Sequence, residues 1–151
     1  MNILCVDDDP LTLAVTGDLL RELGHSVLEA SSGKVALAHL LADGSQIDLL
    51  VTDVLMPDMD GTTLVARAQR ALPGLPAIYT TGLPFRTGDG RPVVTKPCSL
   101  GTLSDGIAQA TRPDGLAPAA RIIRAKDRSG TVRSTADGPR WDWGTARLAP
   151  S

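Results

Sequence analysis

Acidic side chains stand at two points where an apolar run of this 151-residue chain ends. Asp7 and Asp8 follow the run Asn2–Val6. Asp53 follows a second run over 47–52. If both runs are buried parallel strands, their carboxyl ends meet in one crevice and bring the carboxylates close together. Carboxylates this close repel one another unless a cation binds, and oxygen ligands without His or Cys favour Mg²⁺, with Mn²⁺ as an alternative.

Two further polar residues follow later apolar runs. Thr81 comes directly after the run over 77–80, and Lys96, itself followed by Pro97, comes directly after Val93–Thr95. A carboxylate nucleophile, a divalent cation, an ammonium group and a hydroxyl together suit phosphoryl transfer. That chemistry depends on positioning and charge neutralisation more than on acid–base work. Each residue alone would fit an ordinary turn, so the prediction depends on the whole set.

The surrounding pattern alternates strands with helices. We predict strands over 2–6, 25–30, 47–52, 77–80 and 93–95, and helices over about 10–23, 34–41, 62–72 and 99–110. Asp9 and Pro10 are typical of a helix start. Five apolar strands joined by crossovers predict an α/β fold with a doubly wound, five-stranded parallel sheet.

Helical spacing also predicts which side chains face the core. On the first helix, the apolar residues at 11, 15, 19 and 23 recur every four positions. On the second helix, we expect the inward side chains to be Val35, Leu37, Leu40 and Leu41.

The crossover over 82–92 departs from this alternation. It contains three glycines and two prolines in eleven residues. Gly costs about 1 kcal/mol and Pro about 3 kcal/mol in a helix interior, so a stable helix is not expected. We predict a loop with at most one helical turn.

Charge divides the chain into two parts. Residues 1–111 carry 13 acidic and 7 basic side chains, whereas residues 112–151 carry 4 acidic and 8 basic ones. We expect one domain over 1–111 and a basic, flexible tail over 112–151 that forms no output domain, because the tail lacks sustained periodicity. Trp141 and Trp143 in this tail could dock on the domain or on a partner. The basic residues are dispersed, and this pattern does not favour nucleic-acid binding.

Composition also bears on location. No apolar stretch approaches the about 18 residues of a membrane span, and the first strand begins almost at Met1, where a signal peptide would lie. We therefore expect a cytoplasmic protein without a membrane partner, in which Cys5 and Cys98 are reduced structural thiols.

Four short motifs follow one another in order: Val-Asp-Asp-Asp-Pro at 6–10, Asp-Val-Leu-Met-Pro-Asp-Met-Asp-Gly at 53–61, Thr-Gly at 81–82 and Lys-Pro at 96–97. Together they resemble the receiver domain of two-component response regulators, over about residues 1–111. The resemblance implies a flavodoxin-like fold of the receiver type. It implies a signalling protein in a phosphorelay, with at most Mg²⁺-dependent self-phosphorylation and self-dephosphorylation, which takes its phosphoryl group from a histidine kinase or a histidine phosphotransfer protein.

The resemblance also implies roles for the acidic residues. Asp53 resembles the phosphoacceptor and would share in binding the metal. Asp8 would bind Mg²⁺ directly, whereas Asp7 would bind it largely through water. The backbone carbonyl of Leu55 would be a further metal ligand.

At the other side of the site, the resemblance implies that Thr81 and Lys96 bind the phosphoryl oxygens and that a cis peptide bond precedes Pro97. Two features depart from the family pattern. A Gly/Pro loop replaces the helix expected between the fourth and fifth strands, and Val93 replaces an aromatic residue three positions before the Lys. The usual coupling of the Thr to an aromatic residue therefore cannot operate, and we expect phosphorylation to order 82–92 instead.

Two alternatives remain open from the sequence. Asp58 and Asp60 match the Asp-x-Asp-Gly-Thr signature of haloacid-dehalogenase-like phosphatases, although that motif must directly follow a buried strand. A simpler interpretation makes Asp60 a helix cap and Gly61 a turn residue. The second alternative is a binding module that acts without phosphorylation.

Overall fold

The computed structural model describes residues 1–113, together with the backbone of Trp141–Asp142 and Arg147–Leu148. Five strands lie in residues 1–113: β1 Asn2–Val6, β2 Ser26–Ala30, β3 Leu49–Asp53, β4 Ala77–Thr81 and β5 Val93–Thr95. They form one parallel sheet in the order β2-β1-β3-β4-β5. The predicted doubly wound, five-stranded parallel sheet is confirmed.

Four helices alternate with the strands: α1 Pro10–Glu22, α2 Gly33–Asp43, α3 Gly61–Ala71 and α4 Leu100–Ala110. Each follows a residue whose side chain accepts a hydrogen bond from a backbone N–H of the first turn; these caps are Asp9, Ser32, Asp60 and Ser99. Such a cap is worth about 1 kcal/mol, because it satisfies a donor that the helix leaves unpaired. The helix starts therefore follow from local sequence.

Two apolar cores cover the two faces of the sheet. Leu4 of β1 belongs to one core with Leu40 of α2 and Leu64 of α3. Its neighbour Ile3 points to the other face, where it belongs to a core with Leu20 of α1 and with residues of α4. Each such fully buried side chain contributes about 1.5–3 kcal/mol to folding. The carboxyl ends of β1, β3, β4 and β5 are thereby held as one rigid edge.

The expected orientation of α1 was right only near the end of the helix, where Leu19 and Leu23 pack against the core. Leu11 is 73% exposed and Val15 is 50% exposed, whereas Leu13 and Leu20 are buried. Residues spaced by four positions drift around a helix by about 40° per step, so a series of four spans about 120°. The late members of the series pack against the core, and the early members face outward.

The expected orientation of α2 was partly wrong as well. Leu40 is buried and Leu37 packs against the core, but Val35 and Leu41 are exposed. Gly33, Ala36 and Leu40 form the buried face of the helix, and Leu41 points about 100° away from Leu40.

The third strand begins later and ends later than predicted. A short 3-10 helix over Gly44–Gln46 precedes it, and Asp48 makes backbone and side-chain hydrogen bonds to Asn2. Pairing with β1 starts at Leu49, which lies opposite Ile3. Asp53 is consequently the last residue of β3 and not the first residue after it.

The segment over 82–92 forms no helix, as predicted. It is anchored to the sheet by Phe85, whose ring meets that of Tyr79 on β4 edge to face, with the centroids 5.9 Å apart. The Tyr79 hydroxyl donates to Asp89 at 3.3 Å, and Asp89 pairs with Arg91 at 2.9 Å. An aromatic contact and a polar network take the place of a packed helix.

Beyond residue 113, Trp141–Asp142 pairs antiparallel with Arg147–Leu148. The remaining expectations for the tail, including the one for Trp143, concern residues outside those described. Among the described residues, no helix is both long enough and apolar enough to cross a membrane.

Candidate functional site

Three carboxylates converge at the carboxyl edge of the sheet. Val6 and Thr52 lie opposite each other in the β1–β3 pair, which sets Asp7 beside Asp53. One oxygen from each of Asp7, Asp8 and Asp53 lies within 4.8 Å of the others. Asp7 is 3% exposed and Asp53 is 7% exposed, whereas Asp8 faces solvent. The structure thus brings together the acidic set that the sequence predicted.

Backbone hydrogen bonds hold the residues that directly follow Asp53. Val54 N–H donates to the Thr80 carbonyl at 3.0 Å, which continues the β3–β4 ladder past the strand end. Gly61 N–H donates to the Val54 carbonyl at 2.7 Å and closes the loop that follows. The backbone N–H of Leu55 faces the Asp53 carboxylate closely enough to oppose the rise in its pKa. Leu55 therefore lies against the site, although its side chain is exposed.

Lys96 crosses the site to reach both buried carboxylates. Its Nζ donates to Asp7 Oδ2 at 2.7 Å and lies 3.2 Å from Asp53 Oδ2. The Lys96 N–H donates to the Thr81 carbonyl at 2.8 Å, and the peptide bond to Pro97 is cis. The ammonium thus supplies positive charge at the point where the acidic residues meet.

Burial and charge act in opposite directions on this pair. Burial raises the pKa of Asp53, and the Lys96 ammonium opposes that rise without cancelling it, while the nearby Asp7 adds to it. Burial lowers the pKa of Lys96, but the carboxylates of Asp7 and Asp53 outweigh burial and leave that pKa raised. Lys96 alone therefore does not offset burial at Asp53, and a further cation beside Asp53 would stabilise its ionised form.

Thr81 lies at the end of β4, buried, with its hydroxyl turned to the backbone that follows. Thr81 Oγ1 accepts from Leu83 N–H at 3.2 Å and donates to the Leu83 carbonyl at 3.3 Å. The hydroxyl is thus engaged with the start of the 82–92 segment.

Asp58 and Asp60 have other partners. Asp60 caps α3 through the backbone N–H of Thr63 at 2.7 Å, as the simpler interpretation predicted. Asp58 accepts from the backbone N–H groups of Gly33 and Lys34 at the start of α2. Neither residue lies at a strand end, so the phosphatase alternative is not favoured. The contact of Asp58 with α2 was missed, because no local pattern connects residues 24 and 25 positions apart.

A family model for the response regulator receiver domain matches residues 3–84. The chain belongs to this family. The matched segment ends inside the loop between β4 and β5.

Individual relatives agree with this assignment. The chain is 40% identical over 80 residues to the transcriptional regulatory protein GlrR of Escherichia coli (strain K12). These 80 residues cover 53% of this chain and 18% of that protein. It is 34% identical over 80 residues to the sensor kinase CckA of Brucella abortus (strain 2308), covering 53% of this chain and 8% of the kinase. The chain thus spans less than a fifth of either relative.

A crystal structure of the receiver domain from the hybrid histidine kinase CckA is similar in fold. It superimposes with a TM-score of 0.65 at 34% sequence identity, over 74% of this chain and 100% of that one. The flavodoxin-like receiver fold expected from the motifs is confirmed.

The acidic cluster of this receiver domain fits the metal that the family generally uses. Its ligand atoms are carboxylate oxygens, which Mg²⁺ prefers, and they lie close enough together to share one ion. The buried carboxylates Asp7 and Asp53 would hold fixed positions beside the ion, with Asp7 acting largely through water. Asp8, which faces solvent, would bind beside the waters that Mg²⁺ retains.

Proposed function

We propose that this receiver domain accepts a phosphoryl group on Asp53 from the phosphohistidine of a histidine kinase or a histidine phosphotransfer protein, with Mg²⁺ or Mn²⁺ at the acidic cluster. The observation that carries the proposal is the position of the Lys96 ammonium, within 3.2 Å of Asp53 and at 2.7 Å from Asp7. The proposed nucleophile, its counter-ion and an acidic pair thus lie together at the carboxyl edge of the sheet.

The side chains of this chain have distinct parts in the transfer. An Asp53 carboxylate oxygen forms the new bond to phosphorus as the phosphorus–nitrogen bond of the donor breaks. The electron pair of the broken bond stays on the nitrogen of the leaving imidazole. Lys96 stabilises the negative charge on the phosphoryl oxygens, which is the main catalytic requirement of this reaction. Thr81 would contribute its hydroxyl by giving up the Leu83 carbonyl as acceptor. Mg²⁺, held by Asp7, Asp8, Asp53 and the Leu55 carbonyl, would neutralise charge on the transferred group.

Exposed apolar side chains offer the phosphodonor protein a surface. Leu11 and Val15 lie on the outward face of α1, which starts directly after the acidic pair. Leu55 is two residues past Asp53, and Leu83 is two residues past Thr81; both are more than half exposed. Apolar side chains that surround a buried nucleophile suit contact with a protein more than contact with a small phosphate ester.

The remaining parts of the proposal concern the chain as a whole. We infer a cytoplasmic signalling receiver over 1–111, followed by a basic tail over 112–151. The downstream partner of the receiver is a protein. The two alternatives have less support, since Asp58 and Asp60 serve as helix caps and a purely binding module has no need of the full acidic and basic set.

Mapping the modified residue tests the proposal. The purified chain is incubated with a small phosphodonor such as acetyl phosphate and Mg²⁺, and the phosphorylated peptide is identified by mass spectrometry. We expect modification at Asp53, its loss in Asp53→Asn and on chelation of the metal, and its retention in Asp105→Asn, a surface control. Modification at Asp58, or steady hydrolysis of a phosphate ester, would favour the phosphatase instead.

A second experiment tests the phosphodonor surface. Val15→Asp places a charge on the exposed face of α1 without touching the acidic cluster. We expect slower transfer from phosphorylated histidine proteins of the source organism and an unchanged rate with acetyl phosphate. Equal rates with both donors would show that α1 is not part of the contact.

A further inference from the structure

The start of α2 is capped by two residues that are far apart in sequence. Ser32, the residue before the helix, accepts from Val35 N–H at 3.1 Å. Asp58 accepts from Lys34 N–H at 2.9 Å and from Gly33 N–H at 3.3 Å. The first three N–H groups of the helix are thus shared between a local cap and a residue of the loop after β3. We call residues 54–60 the acceptor loop.

The acceptor loop lies directly on the helix start. A Cβ atom built on Gly33 would collide with the side chain of Met59, which packs against the start of α2. Desolvation acts to raise the pKa of Asp58, but the N–H groups of Lys34 and Gly33 outweigh it and hold that pKa below its usual range. Asp58 is therefore an ionised acceptor at neutral pH, placed at the positive end of the α2 dipole.

Both ends of the acceptor loop are fixed independently of Asp58. Gly61 N–H donates to the Val54 carbonyl, and Asp60 caps α3. Asp58 holds the middle of the loop. Leu55, whose N–H acts on the Asp53 carboxylate, lies between the fixed start and this middle anchor. The path of Leu55 past Asp53 thus depends on where the loop is held.

We propose that Asp58 is a positioning residue: by binding the first two N–H groups of α2 it holds the acceptor loop so that the Leu55 backbone stays beside Asp53. The inference rests on the proposed function only for its consequence, which is that the Leu55 carbonyl is kept where a metal at the acidic cluster could use it. The anchoring itself is a property of the metal-free domain.

Amide exchange of the full chain without metal tests the anchoring. In Asp58→Ala we expect exchange within the acceptor loop to accelerate about tenfold or more, because the loop loses its middle anchor. Ser32→Ala removes the local cap of the same helix and leaves the loop attached, so it should accelerate exchange in the first turn of α2 alone. Asp58→Asn, which keeps an acceptor oxygen, should restore most of the protection. Equal acceleration in the loop for Asp58→Ala and Ser32→Ala would overturn the proposal.

Calorimetric titration with Mg²⁺ alone tests the consequence. We expect Asp58→Ala to bind Mg²⁺ about tenfold more weakly than the natural chain, as outer-shell changes commonly do. Ser32→Ala and the surface control Asp105→Ala should bind it normally. Unchanged Mg²⁺ affinity in Asp58→Ala would overturn the positioning role toward the metal. If the natural chain itself bound no Mg²⁺, the metal-dependent function would fail, and the exchange experiment would still decide the anchoring.

Discussion

Lys96 Nζ lies 2.7 Å from Asp7 Oδ2, in a contact that joins residues 89 positions apart. Asp7 is the more buried of the two carboxylates that the ammonium contacts, and the distance to Asp53 is longer, at 3.2 Å. A buried carboxylate without a partner is costly, so Lys96 stabilises the metal-free domain in addition to any contact with a phosphoryl group.

The first prediction follows from this contact. Lys96→Met should lower the free energy of unfolding by about 3 kcal/mol without metal, since it leaves two buried carboxylates unpaired. Adding Mg²⁺ should restore part of the loss, because the ion supplies the missing positive charge. Urea unfolding with and without Mg²⁺ measures both effects. Arg21→Ala, which breaks a partly exposed ion pair with Glu29, is the control and should cost less than about 1 kcal/mol.

The second prediction concerns pH. Burial raises the pKa of Asp53 above the ordinary value of 3.8. The Asp53 carboxyl group therefore contributes to the free energy of unfolding in full at pH values below 3.8, and this contribution is lost as pH rises through the folded-state pKa. Asp53→Asn removes this dependence. The free energy of unfolding of the variant, minus that of the natural chain, should therefore increase from acid to neutral pH. Urea unfolding at a series of pH values tests this, and a constant difference would contradict it.

Much of this architecture could be predicted from local sequence. Buried parallel strands need continuous apolar runs, and residues such as Asp9, Ser32 and Ser99 mark helix starts by chemistry that acts within three positions. The carboxylates Asp7 and Asp53 could be placed together because parallel strands end at one edge of the sheet.

Other features depend on contacts that no short pattern encodes. The outward face of α1 became clear only from the packing of Leu13 and Leu20, since a four-residue spacing does not follow one face. The hold of Asp58 on α2 and the network that joins Tyr79 to Asp89 depend on how distant segments meet. Such contacts are tertiary, and sequence spacing does not determine them.

The third prediction concerns the close approach of the start of α3 to the end of β3. A Cβ atom on Gly61 would collide with the backbone oxygen of Asp53. Gly61→Ala should therefore cost about 1–3 kcal/mol of stability through overpacking, and it should slow phosphorylation by displacing Asp53. Gly88→Ala is the matched control, because a Cβ atom on Gly88 would have no neighbour within 4 Å. Thermal unfolding and the rate of modification by acetyl phosphate distinguish the two variants.

The fourth prediction uses Tyr79, the single tyrosine of the chain. Burial, and then the charge of Asp89, raise its pKa from 10.0 to about 12. Phenolate absorbance after a rapid pH jump should report that midpoint. The free energy of unfolding should fall as pH rises from 10.0 to about 12, because Tyr79 ionises first in the unfolded state. Asp89→Asn should lower the midpoint, and Phe85→Ala should lower it by exposing the ring. A midpoint near the ordinary value in the natural chain would mean that the 82–92 segment does not cover Tyr79.

The fifth prediction links the site to the 82–92 segment. A phosphoryl group that takes the Thr81 hydroxyl as donor must replace the Leu83 carbonyl, its present acceptor. Beryllofluoride with Mg²⁺, a mimic of the phosphorylated state, should therefore change the path of the segment and increase amide protection across 82–92. Thr81→Ala, which cannot make the exchange of acceptors, should bind the mimic without this change. Unchanged protection across 82–92 in the natural chain would show that the segment does not respond to the site.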